Sequence, residues 1–256
     1  MSLRLSILPA LLSLSLLAST GQAEDAVKHT NYTIALAGLP LANAHFQTRK
    51  DGQRYSIDAQ IASTGVGEFL ADTKAEMLSA GAVSDGQLKP DEFRFRYKYG
   101  KRVRSFETRF EDGNVVSTIA EPAHKKRKGW VEVRPEDLKP VTDPVAGLIL
   151  PVSTDPCRSV IAVYDGEARL DLKLERKGEQ KFATEGFRGD AVVCSIRYEP
   201  KSGYRRGHRD VDYVRKLKTM EIWFAKAATL RVYAPVFLSI PTKYGTLTVT
   251  ATRFDG

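Results

Sequence analysis

The stretch Phe93-Arg94-Phe95-Arg96-Tyr97-Lys98-Tyr99 alternates an aromatic ring with a cation at every step. Successive side chains of an extended strand point to opposite faces, so this stretch carries one aromatic face and one basic face. A slip of one residue would bury Arg94, Arg96 and Lys98 beside apolar groups, at a cost no strand edge recovers. Phe93, Phe95, Tyr97 and Tyr99 are therefore expected on the concave, buried side of a sheet, with the cations outside.

The same period of two recurs on either side. Tyr55, Ile57, Ala59 and Ile61 alternate with polar residues, as do Ala168, Leu170, Leu172 and Leu174, and then Leu247, Val249 and Ala251. One apolar and one wetted face per strand is the pattern of antiparallel sheet. Asp51-Gly52, Asp112-Gly113 and Asp165-Gly166 sit between strand-like runs, where Asp-Gly suits tight hairpin turns. Gly100 separates two further runs, and 200–207 reads as a longer basic loop. These signals predict about ten to thirteen strands. Short helices are expected within 67–78 and 140–150, one of them plugging the concave side. The fold class is all-β: a curved, mostly antiparallel open barrel, half-barrel or spiral sheet, since a sheet this large must curl or split to cover its apolar face.

Residues 1–23 read as a signal peptide. A basic start at Arg4 precedes an uncharged run from Leu5 to Leu17, and Gly21-Gln22-Ala23 puts small residues where a signal peptidase cuts, between Ala23 and Glu24. The run is too short to span a bilayer. Glu24 stands where a lipoprotein would carry cysteine. The expectation is a periplasmic protein with no transmembrane segment and one β-rich domain over residues 24–256, 233 residues long.

Cys157 and Cys194 are the whole thiol inventory. In an oxidising compartment such a pair reads as one disulfide. The rival readings, a catalytic thiol or a metal ligand, lack neighbouring histidines. The net charge of +8 becomes +7 once Arg4 is removed, which favours anionic neighbours such as lipid headgroups, lipopolysaccharide or acidic glycan. Export argues against nucleic acid. A candidate anionic-ligand surface comprises Arg94, Arg96 and Lys98 on one strand face and the run Lys125-Lys126-Arg127-Lys128. Lys101, Arg102, Arg104, Arg205, Arg206 and Arg209 form further clusters. Trp130 and Trp223 read as packing residues.

Catalytic constellations do not emerge. The chain has no Gly-x-Ser-x-Gly elbow, no His-Glu-x-x-His and no phosphate loop, and its four histidines, His29, His45, His124 and His208, are scattered. No catalytic, cofactor-binding or metal-binding residue is nominated, and no cofactor is expected.

The segment 157–204 has a recognisable order. Cys157 is followed by Val163-Tyr164-Asp165-Gly166, Arg169-Leu170-Asp171-Leu172, Gly186-Phe187-Arg188-Gly189, Cys194, Tyr198-Glu199-Pro200 and Ser202-Gly203-Tyr204. With Tyr32 and Met220-Glu221-Ile222-Trp223-Phe224, it resembles the proteobacterial family of exported proteins known as domain of unknown function 3108. The resemblance implies a curved antiparallel sheet, loosely similar to the half-barrel of periplasmic lipoprotein carriers, and it brings no catalytic residues. The expected function is non-enzymatic binding in envelope maintenance, towards a lipid, glycan or protein partner. A narrower form is a carrier holding an acyl chain in an apolar cavity. The alternative, a hydrolase of envelope polysaccharide, needs two carboxylates facing one cleft.

Overall fold

The computed structural model describes residues 27–70, 72–123, 128–227 and 230–256. The expected leader, with its cleavage point between Ala23 and Glu24, lies outside the described residues. So do His124, Lys125, Lys126 and Arg127.

The described chain is a succession of antiparallel strands. The first series is β1 (Lys28–Leu36), β2 (Leu39–Asp51), β3 (Arg54–Ser63), β4 (Thr73–Ser84), β5 (Gln87–Tyr99), β6 (Arg102–Glu111) and β7 (Asn114–Glu121). A single helical turn, α1 (Val66–Leu70), links β3 to β4. Then come the short β8 (Trp130–Val131) and β9 (Leu150–Pro151), and β10 (Val160–Tyr164), β11 (Arg169–Thr184), β12 (Phe187–Ser202) and β13 (Tyr204–Arg205). Helix α2 (Arg209–Lys216) precedes β14 (Met220–Ala227), β15 (Val232–Thr242) and β16 (Gly245–Phe254).

Thirteen of these strands form one path in the order β10-β11-β12-β14-β15-β16-β1-β2-β3-β4-β5-β6-β7. Two meanders, β1–β7 and β10–β16, thus lie side by side. They are fused where β1 pairs antiparallel with β16, from Thr30 opposite Phe254 to Leu36 opposite Leu247. The sheet is strongly curved and is not closed into a barrel. The segment 132–159 crosses its concave side and bridges the two outer edges at one point. There Val141 N–H donates to the Gly113 carbonyl at 2.8 Å, and Thr142 N–H donates to the Ala162 carbonyl at 2.9 Å.

The turn chemistry follows the sequence. Gly52, Gly113 and Gly166 all have positive φ, which Asp-Gly turns require. Gly81 is needed for a different reason. It sits at a bulge opposite β5, where a Cβ would fall 2.0 Å from the Lys89 carbonyl oxygen.

Three expectations are corrected. The helix expected in 67–78 is only the turn α1, and residues from Thr73 onward are strand β4, because pairing with β3 and β5 on both sides outweighs local helix propensity. Within 140–150 the helical content is a 3₁₀ turn of three residues, Ala146–Leu148, so the concave side is plugged by irregular chain. The loop expected at 200–207 is largely strand, since β12 continues to Ser202 and β13 pairs with β8. Arg209, two residues beyond that stretch, opens α2.

The faces of Phe93–Tyr99 have the expected sense, but burial fades along the strand. Phe93 is 1% exposed, Phe95 and Tyr97 are half-buried, and Tyr99 is 57% exposed. Phe95 stacks on Phe106, with centroids 6.3 Å apart, and joins Val133, Leu138 and Val145 of the crossing segment around the cluster of Phe93, Phe110 and Val141. The upper end of β5 runs past that cover, which is why Tyr99 is bare.

Cys157 and Cys194 form a disulfide with Cα atoms 5.3 Å apart. Both are fully buried, and the bond fastens the end of the crossing segment to the middle of β12.

Candidate functional site

Beneath the crossing segment the concave face holds a partly open apolar cavity of about 330 Å³, within the size range of small-molecule pockets. Its walls come from both meanders. Ile34, Phe46, Ile57, Ile61 and Met77 of the first meander line it together with Leu238, Val249, Phe237 and Val232 of the second, and Val145, Leu148 and Ile149 of the crossing segment complete it.

The inward residues of β1 and β2 are graded in polarity. Along β1 the wall reads Lys28, Thr30, Tyr32, Ile34, and along β2 from the same end it reads Lys50, Thr48, Phe46, Ala44. Lys28 pairs with Thr48, Thr30 with Phe46 and Tyr32 with Ala44, so the two series run in parallel up the cavity wall. Lys28 and Lys50 are diagonal neighbours on this face. Cations stand at one end, hydroxyls follow, and aromatic and aliphatic groups line the interior.

Tyr32 satisfies its hydroxyl inside the wall by donating to the Pro235 carbonyl at 2.7 Å. Its ring meets Phe46 edge to face at 5.4 Å, and burial drives its phenol well above the usual tyrosine range. Asp255, the carboxylate on the wall, sits at the Lys28 end. It accepts from Arg253 Nε at 3.0 Å and from the His29 backbone N–H at 3.1 Å, and the Arg253 guanidinium holds it below the ordinary carboxylate range.

A buried polar chain anchors the crossing segment. Ser79 Oγ donates to Asp143 Oδ2 at 2.8 Å, which leaves the Tyr55 hydroxyl to donate to Ser79 at 3.0 Å. Asp143 Oδ1 accepts the backbone N–H groups of Val145 and Ala146 at 2.7 and 2.9 Å. Asp143 is 0% exposed, and its pKa is raised to about 6 because burial outweighs these hydrogen bonds. Tyr55 is pushed up chiefly by burial and secondarily by the Asp143 charge. A serine beside a carboxylate suggests a hydrolytic pair, yet His29, His45 and His208 lie off this wall and Ser79 is itself fully buried.

The basic residues singled out from sequence lie elsewhere. Arg94, Arg96 and Lys98 share the outer face of β5, interleaved with carboxylates: Arg94 pairs with Glu92 at 2.9 Å, Lys98 pairs with Asp72 at 2.6 Å, and Arg96 is opposite Glu76. Arg104 is bound to Glu167 at 2.9 Å and lies over the Phe106 ring. Lys128 is exposed; the rest of its run falls outside the described residues. Trp223 packs on Phe237 with centroids 4.8 Å apart, as its packing role requires. Lys28 and Lys50 were not singled out, although Lys28-x-Thr30-x-Tyr32-x-Ile34 carries the gradient in its alternate positions. Among the described residues no cluster of three or more metal-ligating side chains exists, and no helix is long and apolar enough to cross a membrane.

The profile of a family described as "Protein of unknown function (DUF3108)" matches residues 31–252. No curated protein matches. Among solved structures, the chain is similar to a beta-barrel-like protein of domain of unknown function DUF1849 from Brucella abortus. The two share 10% identity and a TM-score of 0.48, over 90% of this chain and 97% of that one.

Proposed function

The chain belongs to the DUF3108 protein family, and within it we propose that this member is an exported, non-enzymatic protein of the cell envelope that holds the acyl chain of an anionic lipid in its concave cavity. The observation that carries this reading is the graded wall. An amphiphile entering tail first would place methylenes against Phe46, Ile34 and Val249 and leave its headgroup beside Lys28 and Lys50. Each methylene withdrawn from water contributes about 0.8 kcal/mol, a gain that grows with chain length. The hydroxyls of Thr30 and Thr48 lie between the two zones and offer hydrogen bonds to an ester or amide linkage.

Binding is favoured over hydrolysis by the character of the same wall. A polysaccharide hydrolase needs two carboxylates spaced across a polar cleft. Here Asp255 is tied to Arg253, and Asp143 is sealed behind Ser79.

The test is native mass spectrometry of protein purified from periplasm, followed by displacement of a fluorescent fatty acid. Retained lipid of acidic headgroup is the expected result. Ile34→Trp, which fills the cavity, should abolish probe uptake, and Lys28→Ser with Lys50→Ser should weaken anionic probes more than neutral ones. Uptake unaffected by Ile34→Trp would overturn the reading. Sequencing of the same preparation should find Glu24 at the N-terminus, and retention of residues 1–23 on membrane-bound protein would refute export with cleavage.

A further inference from the structure

At the end of the sheet away from Lys28 and Lys50, four loops form a continuous rim. The β1–β2 turn is joined to the β15–β16 turn by Ala37 N–H donating to the Thr246 carbonyl at 2.9 Å. Helix α1 is seated on the start of β2: Thr64 N–H donates to the Leu41 carbonyl at 2.8 Å, and a Cβ on Gly67 would lie 2.0 Å from that oxygen. The β5–β6 turn closes the series through Gly100 N–H and the Asp72 carbonyl, 3.2 Å apart.

Each of the first three loops presents a bare apolar side chain at its tip. Phe69 is 93% exposed, Tyr244 82%, Leu39 58% and Val66 51%. Isolated apolar residues on a surface are ordinary, but here they crown neighbouring, mutually hydrogen-bonded loops. The charges around them are mostly positive. Residues 64–69, 72–74, 98–104 and 242–246 carry Lys74, Lys98, Lys101, Arg102, Arg104 and Lys243 against Glu68 and Asp72. Lys98 is held by Asp72, which Lys74 also approaches, Arg104 is held by Glu167, and Lys243 lies over the Tyr213 ring of α2 at 5.4 Å, so cations still outnumber carboxylates on the rim.

We propose that this rim docks the protein on an anionic bilayer, with Phe69 and Tyr244 entering the headgroup layer and Lys74, Lys101, Arg102 and Lys243 lying against the phosphates. Aromatic rings favour that depth, and a cation near an anionic membrane surface gains about 1 kcal/mol. Separate protruding tips flanked by cations match a deformable, negatively charged plane. The rim is distinct from the cavity wall, and the inference does not depend on what the cavity holds.

The experiment is co-sedimentation of the mature protein with vesicles of phosphatidylethanolamine and phosphatidylglycerol, compared with vesicles of phosphatidylcholine alone. Wild type should partition to the anionic vesicles and be released by salt. Phe69→Ser with Tyr244→Ser should lower that partitioning about tenfold without shifting the melting temperature, since both rings are solvent-exposed. Lys101→Ser, Arg102→Ser and Lys243→Ser together should remove the preference for anionic vesicles. Ile34→Trp should keep vesicle binding while losing the acyl probe. Failure of wild type to partition, or unchanged partitioning of the Phe69/Tyr244 variant, overturns the proposal. Loss of vesicle binding in Ile34→Trp would also overturn it, because association would then run through the cavity.

Discussion

The two meanders use the same alternating sequence pattern and reach different degrees of burial. Among the described residues, 9 apolar side chains of β1–β7 are buried, against 22 from Val141 to Phe254. In the second meander Phe224, Ile222, Cys194 and Ile196 pack with Leu148, Leu150 and Leu217 into one dense cluster. In the first, Ile34 and Ile61 point inward onto the cavity, and Tyr32 and Phe46 pack on each other at its wall. An inward strand face becomes core only where a second layer reaches it, and the crossing segment is too narrow to cover both meanders. The second meander is thereby the denser half, and the cavity lies where its inner face and that of the first meander stay apart.

The largest test of this contrast is a pair of ring deletions. Phe224→Ala, in the dense half, should cost about 3–5 kcal/mol in chemical denaturation, whereas half-buried Phe95→Ala should cost less than about 2 kcal/mol. Equal losses would erase the distinction. Next comes the disulfide, which staples only the dense half. It closes a separation of 37 residues, and Cys157→Ala with Cys194→Ala should cost roughly 3–4 kcal/mol. Peptide mapping without reductant should recover the two segments as one linked species, and free alkylation of both thiols would contradict it.

The Asp143 anchor, at the junction of the two halves, gives a pH signature. Its folded pKa, raised to about 6 from an unfolded value of 3.8, means that the folded state binds the extra proton between those values. Stability from this group is therefore full at low pH and is lost as pH rises from about 4 to 6, by about 3 kcal/mol. Subtracting the stability curve of Asp143→Asn from that of wild type should isolate this decline. A flat difference would mean that the carboxyl is not sealed from water. The smallest effect is expected at Arg96→Ala, within about 0.5 kcal/mol, because the side chain lies on the outer face. A large loss there would reverse the assignment of the two faces of β5.

Much of this architecture was legible in the sequence. Alternation in Tyr55–Ile61, Phe93–Tyr99 and Leu247–Ala251, with Asp-Gly turns between strands, is a local property that survives into the fold. The helix expected within 67–78 stops at Leu70, although Glu76, Met77 and Leu78 also have helical propensity. The turn at Asp85-Gly86, with φ of 53° and 75°, is the unused signal that would have marked β4 as a strand entering a hairpin. The cavity was not legible at all. It is defined by side chains that fail to meet across the sheet, and only curvature and the path of 132–159 determine that. The rim is similar: Leu39, Phe69 and Tyr244 lie far apart in sequence and become neighbours only because their hairpins share an end.

The seam between β1 and β16 has a consequence for the order in which the molecule is made. Within each meander, strands pair mostly with their predecessors, so both can assemble as the chain is synthesised. Strand β1 must wait for β16, more than two hundred residues later, with its Lys28-to-Ile34 face unsheltered on one side. Val249 and Phe254 of the cavity wall arrive only with that final strand. A chain interrupted before residue 245 would carry two curved fragments with no enclosed space between them. The cavity wall is thus continuous only after the first and the last of these strands have met.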